Sequence, residues 1–202
     1  MSDNLSLFVS IWIKFFFVFT PFFALSMFLS ITDGYTENRR RRLAVAVSGA
    51  VTVICLVLFF VGNQLFALFG ITLDSFRIGA GALLFLSAVG LVQDKAVAPT
   101  DPDRGGDVAV VPLAIPIIVG PATTGILLVL GAGLKDWPEK VAGFAGLIAA
   151  IVSLGLLLVL GSLIQRSLGS RGIAIVSKLN GLVVAALAAQ MIMTGVLGFL
   201  SH

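Results

Sequence analysis

Long apolar runs separated by short polar segments dominate the chain from end to end. A helix needs roughly 20 predominantly apolar residues to cross about 30 Å of hydrocarbon. The runs that reach this length predict six spans: 5–31, 43–69, 75–93, 108–133, 140–164 and 173–200. Because the polar segments between them are too short for a soluble domain, we predict a single all-α membrane domain over residues 1–202.

The composition also indicates a membrane protein. Apolar residues make up 58% of the chain and charged residues 11%, and the mean hydropathy is +1.11. A soluble core of this size could not bury so much apolar surface. The net charge of +3 comes from Lys and Arg residues that mostly flank the apolar runs, which favours membrane orientation over nucleic-acid binding. The single cysteine, Cys55, lies inside an apolar run, so we expect a packing role for it.

Basic residues are concentrated in the connections after the first, third and fifth spans. The positive-inside rule places these connections in the cytoplasm. Both termini are then on the periplasmic side of the bacterial inner membrane, where we predict the protein to be located. The opposite side carries only Lys14, Arg77, Lys135 and Lys140. The basic residues on the predicted cytoplasmic side are Arg39, Arg40, Arg41, Arg42, Lys95, Arg104, Arg166, Arg171 and Lys178.

The two halves of the chain resemble each other at an offset of 100 residues. With three spans in each half, repeat 1 (1–100) and repeat 2 (101–202) would enter the membrane from opposite sides, which is the inverted-repeat arrangement of many secondary transporters. The matched pairs are Thr20 with Gly120, Pro21 with Pro121, and Gly81 with Gly181.

Prolines interrupt the first and fourth predicted spans. A proline inside a helix removes one backbone hydrogen bond and clashes with the preceding turn. The freed backbone groups cannot face lipid, so they must face protein or a wet cavity, and a half-helix N-terminus there could receive a carboxylate. The candidate substrate-binding residues are Thr20, Pro21, Gly120, Pro121, Thr123 and Thr124. The alternative, left open here, is that these prolines only bend the helices for packing.

Other polar side chains fall within the spans. Gln190 and Asn180 could contact substrate, or could join helices through hydrogen bonds. Lys14 is expected to extend toward the outer interface, and Arg77 to pair with Asp74. With no acid pair, histidine cluster or activated nucleophile in the spans, we expect neither an enzyme nor a metal site or cofactor. A coupling ion, H⁺ or Na⁺, would then bind backbone oxygens at the breaks.

Four segments of the chain have a distinctive sequence. They are TPFFALSMFLSIT at 20–32, LFGITLDSFRIGAGALLF at 68–85, VVPLAIPIIVGPATT at 110–124 and SKLNGLVVAALAAQMIMTGV at 177–196. These segments resemble the MarC family of bacterial membrane proteins, and the similarity covers essentially the whole chain. The resemblance implies two inverted three-helix repeats and, for some members, uptake or export of small amino acids such as glycine or alanine.

The first broken span departs from that family's pattern, which has Asn-Pro followed by Gly and often a second Pro. Thr20 replaces the Asn, Phe23 the Gly and Ser26 the second Pro, while Ala122 stands where Gly is frequent after Pro121. The first half-site is therefore expected to be bulkier and less polar than in the amino acid transporters.

Our leading interpretation is a carrier for a small neutral solute, most simply an amino acid, with membrane lipid as its surroundings. The candidate site lies between the two breaks, with Gln190 as a further contact. The alternative is a non-transporting membrane partner or assembly subunit, which predicts a dry and fully packed centre. The sequence leaves the oligomeric state open.

Overall fold

The computed structural model describes residues 2–93, 118–134 and 136–200, and nearly all of these are helical. Pro112 and Pro116, and the start of the fourth predicted span, lie outside the described residues. The helices are α1 (Ser2–Val18), α2 (Pro21–Ile31), α3 (Glu37–Phe69), α4 (Leu73–Val92), α5 (Pro121–Gly133), α6 (Trp137–Val159) and α7 (Gly161–Leu200).

Four of these helices, α3, α4, α6 and α7, are long and apolar enough to cross a membrane. The α1–α2 pair counts as a fifth span if it is taken as one helix bent by 43°. Helix α5 is apolar but shorter. The structure therefore confirms an all-α protein with four or five candidate spans in its described part.

The polar connection predicted at 165–172 contains a kink in α7. The helix begins at Gly161, is interrupted at Gly169, where φ is 66° and ψ 168°, and is helical again beyond it. Glycine adopts positive φ without a steric penalty, so the chain turns there and resumes helical structure at once. The residues around the kink are helical and do not form a longer loop.

The main core lies among α1, α2, α3, α5 and α6. Its fully buried side chains are large, and they include Phe19, Phe28 and Leu25 beside the α1–α2 bend. A smaller cluster joins α4, α5 and α7 through Leu84, Ala88, Ala122, Val184 and Ala188. Both broken segments, α2 and α5, are thus packed inside the helix bundle.

Helices α4 and α7 are the most extensively packed pair, and small residues allow their close approach. A Cβ atom on Gly81 would lie 3.1 Å from the Ala188 carbonyl oxygen, and one on Gly181 would lie 3.2 Å from the Ala88 carbonyl oxygen. The two contacts are reciprocal, because 81 and 181, and likewise 88 and 188, differ by the same offset. Such reciprocity is the pattern of a two-fold axis.

The outer surface carries many exposed large apolar side chains. On α3, for example, Val45 is 65% exposed, Val53 62% and Phe60 61%. In water so much exposed apolar surface would promote association, whereas against lipid tails it is the expected surface. These faces are consistent with direct lipid contact.

A candidate solute site at the helix breaks

The first break lies between α1 and α2. Thr20 has φ 47° and ψ 57°, which makes it the one non-glycine residue with positive φ in the described part of the chain. Helix α2 then begins at Pro21, which has no N–H to donate to the Phe17 carbonyl four residues earlier. The Thr20 N–H bonds that carbonyl instead, at 2.9 Å. The sequence prediction that the first span is broken at Pro21 is confirmed.

A side chain of α7 donates a hydrogen bond to the backbone at the first break. The Asn180 Nδ2 atom donates to the Phe17 carbonyl oxygen at 3.2 Å, so this carbonyl accepts from the Thr20 N–H and from Asn180 in place of an N–H at Pro21. Asn180 is only 2% exposed, and its Oδ1 atom has no hydrogen-bond partner. An unpaired buried acceptor is unusual and requires an explanation.

The second break precedes α5, which begins at Pro121 after an extended Gly120 with φ −83° and ψ −179°. The Thr123 hydroxyl donates to the Ile118 carbonyl oxygen at 3.2 Å, and Thr123 is only 5% exposed. Thr124, which is half-buried, donates its N–H to the Gly120 carbonyl oxygen at 2.9 Å. Thr123 therefore satisfies a carbonyl beside the break and does not point its hydroxyl at an open site.

Each break presents the start of a helix inside the bundle. The amides of Phe22 and Phe23 precede the first hydrogen bond of α2, from the Ala24 N–H to the Thr20 carbonyl oxygen. Those of Ala122 and Thr123 have the same place in α5, before the bond from Thr124 to Gly120. These N–H groups lie at the partly positive end of the helix. They are suited to a carboxylate or another small anionic group.

A first cavity of about 260 Å³ lies between α1, α4, α5 and α7. No Asp or Glu is among the described residues that line it. Its wall is mainly apolar, and it includes Val18 just before the first break. The polar side chains that line the first cavity are Ser10, Lys14, Arg77, Gln190 and Thr194.

The two cations of the first cavity differ in their surroundings. Arg77 donates to Asp74 at 2.7 Å, which agrees with the expected pair. Lys14 is exposed and lines the cavity, so its ammonium group faces an open space as well as the helix surface. Because Asp74 balances the charge of Arg77, the net positive charge of the first cavity comes from Lys14.

A second cavity, of about 290 Å³, lies between α2, the start of α3 and the start of α7. Arg40 in its wall donates to the Ser162 hydroxyl at 2.9 Å and to the Thr32 carbonyl oxygen at 3.1 Å. The neighbouring Arg41 instead pairs with exposed Glu37. The polar side chains that line the second cavity are Ser26, Ser30, Asp33, Arg40, Gln165 and Ser170.

The two cavities share three lining positions at the offset of 100 residues, on α2 and α5. Along α7 the second cavity is lined by 165–173 and the first by 187–194, and Asn180 falls between these segments. The α1–α2 break likewise falls between Val18 and Ser26. Ser26, Leu29 and Ser30 of α2 line the second cavity, and Ile126, Val129 and Leu130 of α5, at the offset of 100, line the first.

The structure separates the candidate residues into two groups. Residues of the breaks lie at the start of α2 and α5, whereas Gln190 lines the first cavity away from both. The contact that sequence reasoning did not assign is the one between Asn180 and Phe17. The sequence feature that could have indicated this contact is Pro21, which has no N–H, so the Phe17 carbonyl four residues earlier needs another donor. Within 2–93, 118–134 and 136–200, no group of three His, Cys, Asp or Glu residues could hold a metal ion.

These features define a multi-pass integral membrane protein with broken helices inside its bundle. The model of the MarC family of integral membrane proteins matches residues 5–200, so the chain belongs to this family. It is 31% identical to a UPF0056 membrane protein of Pyrococcus abyssi, covering 98% of both chains. A UPF0056 membrane protein of Aquifex aeolicus is 28% identical over 97% of this chain and 95% of its own length.

A relative from Escherichia coli, the UPF0056 inner membrane protein YhgN, is 27% identical over 89% of this chain and 90% of its own length. No solved structure matches the chain.

Proposed function

We propose that this protein is a secondary carrier that moves small neutral solutes, with amino acids as the substrate class, across the bacterial inner membrane. The observation that carries the proposal is the buried break at Thr20–Pro21, held by Asn180 between two separate cavities. A carrier needs a binding site near the bilayer midplane that is reached from either side in turn. We interpret each cavity as the path to this site from one side of the membrane, with the broken helix between the two paths.

An inverted repeat of six spans is part of this proposal. It is supported by the reciprocal contacts of Gly81 with Ala188 and of Gly181 with Ala88. It is also supported by the equivalent cavity-lining positions on α2 and α5. In this arrangement each half contributes one broken span, and the conformations open to opposite sides would be related by exchange of the two halves.

The substrate class follows from the charge and size of the first cavity. Lys14 favours a carboxylate, whereas the charge of Arg77 is balanced by Asp74. A volume of about 260 Å³ is below the range typical of sites for drug-sized ligands. The helix starts at the breaks offer amides to the same carboxylate. A small zwitterion fits these features better than a cation or a large apolar solute does.

The inner-membrane location is supported by the name of the Escherichia coli relative, the inner membrane protein YhgN. Orientation with both termini in the periplasm is proposed from the basic connections. Coupling to H⁺ or Na⁺ would use oxygens at the breaks, and the carrier would need no cofactor or enzymatic step. The alternative, a non-transporting assembly subunit, predicts a fully packed centre, and the two cavities favour the carrier over it.

The test is transport by the purified protein in proteoliposomes. We expect saturable uptake and counterflow of radiolabelled glycine, alanine or serine, measured with and without proton and sodium gradients. Pro121→Ala should reduce the initial rate at least roughly tenfold while leaving insertion intact, because it restores a helical N–H at the break. Pro138→Ala, at the exposed start of α6, is the matched control and should transport normally. Normal transport by a well-inserted Pro121→Ala variant would contradict this site.

A further inference from the structure

We infer that Asn180 is a substrate-binding residue, whose Oδ1 atom accepts a hydrogen bond from the ammonium group of the carried amino acid. The inference rests on the proposed function and names one contact within it. Asn180 is nearly fully buried, and one of its two polar groups is already committed to the first break.

The orientation of the Asn180 amide is set by its partner. The Phe17 carbonyl oxygen can only accept hydrogen bonds, so the atom 3.2 Å from it must be the Nδ2 donor. Rotating the amide by half a turn would place two acceptors against each other. Oδ1 is therefore the atom left without a partner, and the unmet requirement is for a donor.

This unmet requirement selects the chemistry of the ligand. A carbonyl-type oxygen in a buried site is satisfied by an N–H or O–H donor or by a cation, and it repels a carboxylate. The nearby start of α2 offers the opposite chemistry, since the amides of Phe22 and Phe23 favour an anion. One break thus presents an acceptor and a set of donors, which match the ammonium and the carboxylate of an α-amino acid.

The position of Asn180 is consistent with a contact made during passage. Along α7 it falls between the segments that line the two cavities, and it lines neither of them. The residue it holds, Phe17, immediately precedes Val18 in the wall of the first cavity. In the proposed transport cycle, a solute passing between the two cavities would reach the α1–α2 break, where Oδ1 would receive it.

A structural role and a binding role for Asn180 can be separated through Pro21. Pro21→Ala gives residue 21 an N–H that can donate to the Phe17 carbonyl, so the Nδ2 donor is no longer needed there. If Asn180 only stabilises the break, replacing it in this background changes little. If Oδ1 binds substrate, its loss still weakens binding.

The experiment is equilibrium binding of radiolabelled alanine to the full-length protein in nanodiscs, with propionate as the competitor that lacks the ammonium group. Wild type should prefer alanine over propionate by at least roughly tenfold. Asn180→Leu should reduce this ratio to near one, both alone and in the Pro21→Ala background. Ser177→Ala, one turn earlier on α7 and also buried, is the matched control and should keep the wild-type ratio.

Three other results would overturn the inference. An unchanged alanine-to-propionate ratio in both Asn180→Leu variants would leave Asn180 with a structural role alone. Loss of sodium dependence with an unchanged ratio would assign Oδ1 to Na⁺ instead of the ammonium group. A wild-type protein that binds and transports no amino acid would overturn the proposed function itself, which distinguishes that failure from the first two.

Discussion

At Thr20 the backbone has a left-handed conformation that a β-branched side chain rarely adopts. The conformation is held because Pro21 cannot continue α1, while the Thr20 N–H and Asn180 both bond the Phe17 carbonyl. The family pattern that the sequence resembles has Asn before the proline, and Asn tolerates positive φ better than Thr. The departure at Thr20 therefore keeps the break while adding local strain.

Thr20→Asn is expected to stabilise the protein. Relief of the left-handed strain should raise the free energy of unfolding by about 1 kcal/mol. The measurement is unfolding in mixed micelles, followed by the fluorescence of Trp12 and Trp137. Thr36→Asn, at an extended and exposed position before α3, is the control and should change stability by less than about 0.5 kcal/mol. A Thr20→Asn variant less stable than wild type would show that the Thr side chain has a favourable role here.

At the scale of helices, α4 and α7 lie close together because glycines face backbone atoms across the interface. A Cβ atom added to Gly81 or Gly181 would lie close to a carbonyl oxygen of the other helix. No atom of a neighbouring segment lies within 4 Å of a Cβ added to Gly79. In the sequence, Gly81 and Gly181 were matched only by their offset of 100 residues. Which glycines lie in an interface depends on helix rotation, and the weakly amphipathic pattern of a membrane helix does not define that rotation.

Gly81→Ala and Gly181→Ala are both expected to destabilise the bundle. The added Cβ would lie 2.7 Å from Ile192 Cγ1 in the first variant and 3.0 Å from Val92 Cγ2 in the second, so the helices must separate. Each should lower the free energy of unfolding by about 1 to 3 kcal/mol. Gly79→Ala is the control on the same helix and should be neutral or slightly stabilising. Equal stability of the Gly79 and Gly81 variants in the same unfolding assay would contradict the close approach.

The first helix break was predicted from the sequence, but the partners of its freed groups were not. Prolines act on their own chain, so the break at Pro21 and the start of α5 at Pro121 follow from local chemistry. Asn180 reaches Phe17 across 163 positions, and such a contact depends on how the helices assemble. The kink at Gly169 was missed for a different reason, since a glycine in a polar segment is equally compatible with a loop.

At the scale of the whole molecule, the two cavities are lined by different helices and carry different polar groups. The first is lined by Lys14 and by Arg77, which is paired with Asp74, and the second by Arg40 and several hydroxyl groups. If the basic connections lie in the cytoplasm, the second cavity opens toward the cytoplasm and the first toward the periplasm. The orientation of the protein therefore decides which cavity is exposed to cytoplasmic solutes and which to periplasmic solutes.

Cysteine labelling should establish this orientation. Cys55 is fully buried, so Cys55→Ala provides a background in which single cysteines report on exposed positions. In intact spheroplasts, a membrane-impermeant maleimide should label Thr72→Cys and Asp136→Cys, both exposed beside predicted periplasmic helix ends. Asn38→Cys, beside the arginine run at the start of α3, should be labelled only after permeabilisation.

The labelling result has a direct bearing on the proposed repeat. Thr72 and Asp136 belong to different halves, and an inverted repeat requires them to lie on the same side of the membrane. Labelling of only one of the two would contradict six spans, whatever the orientation. Labelling of Asn38→Cys in intact spheroplasts, with protection of the other two, would keep the repeat and reverse the orientation. The second cavity, with Arg40 in its wall, would then open to the periplasm.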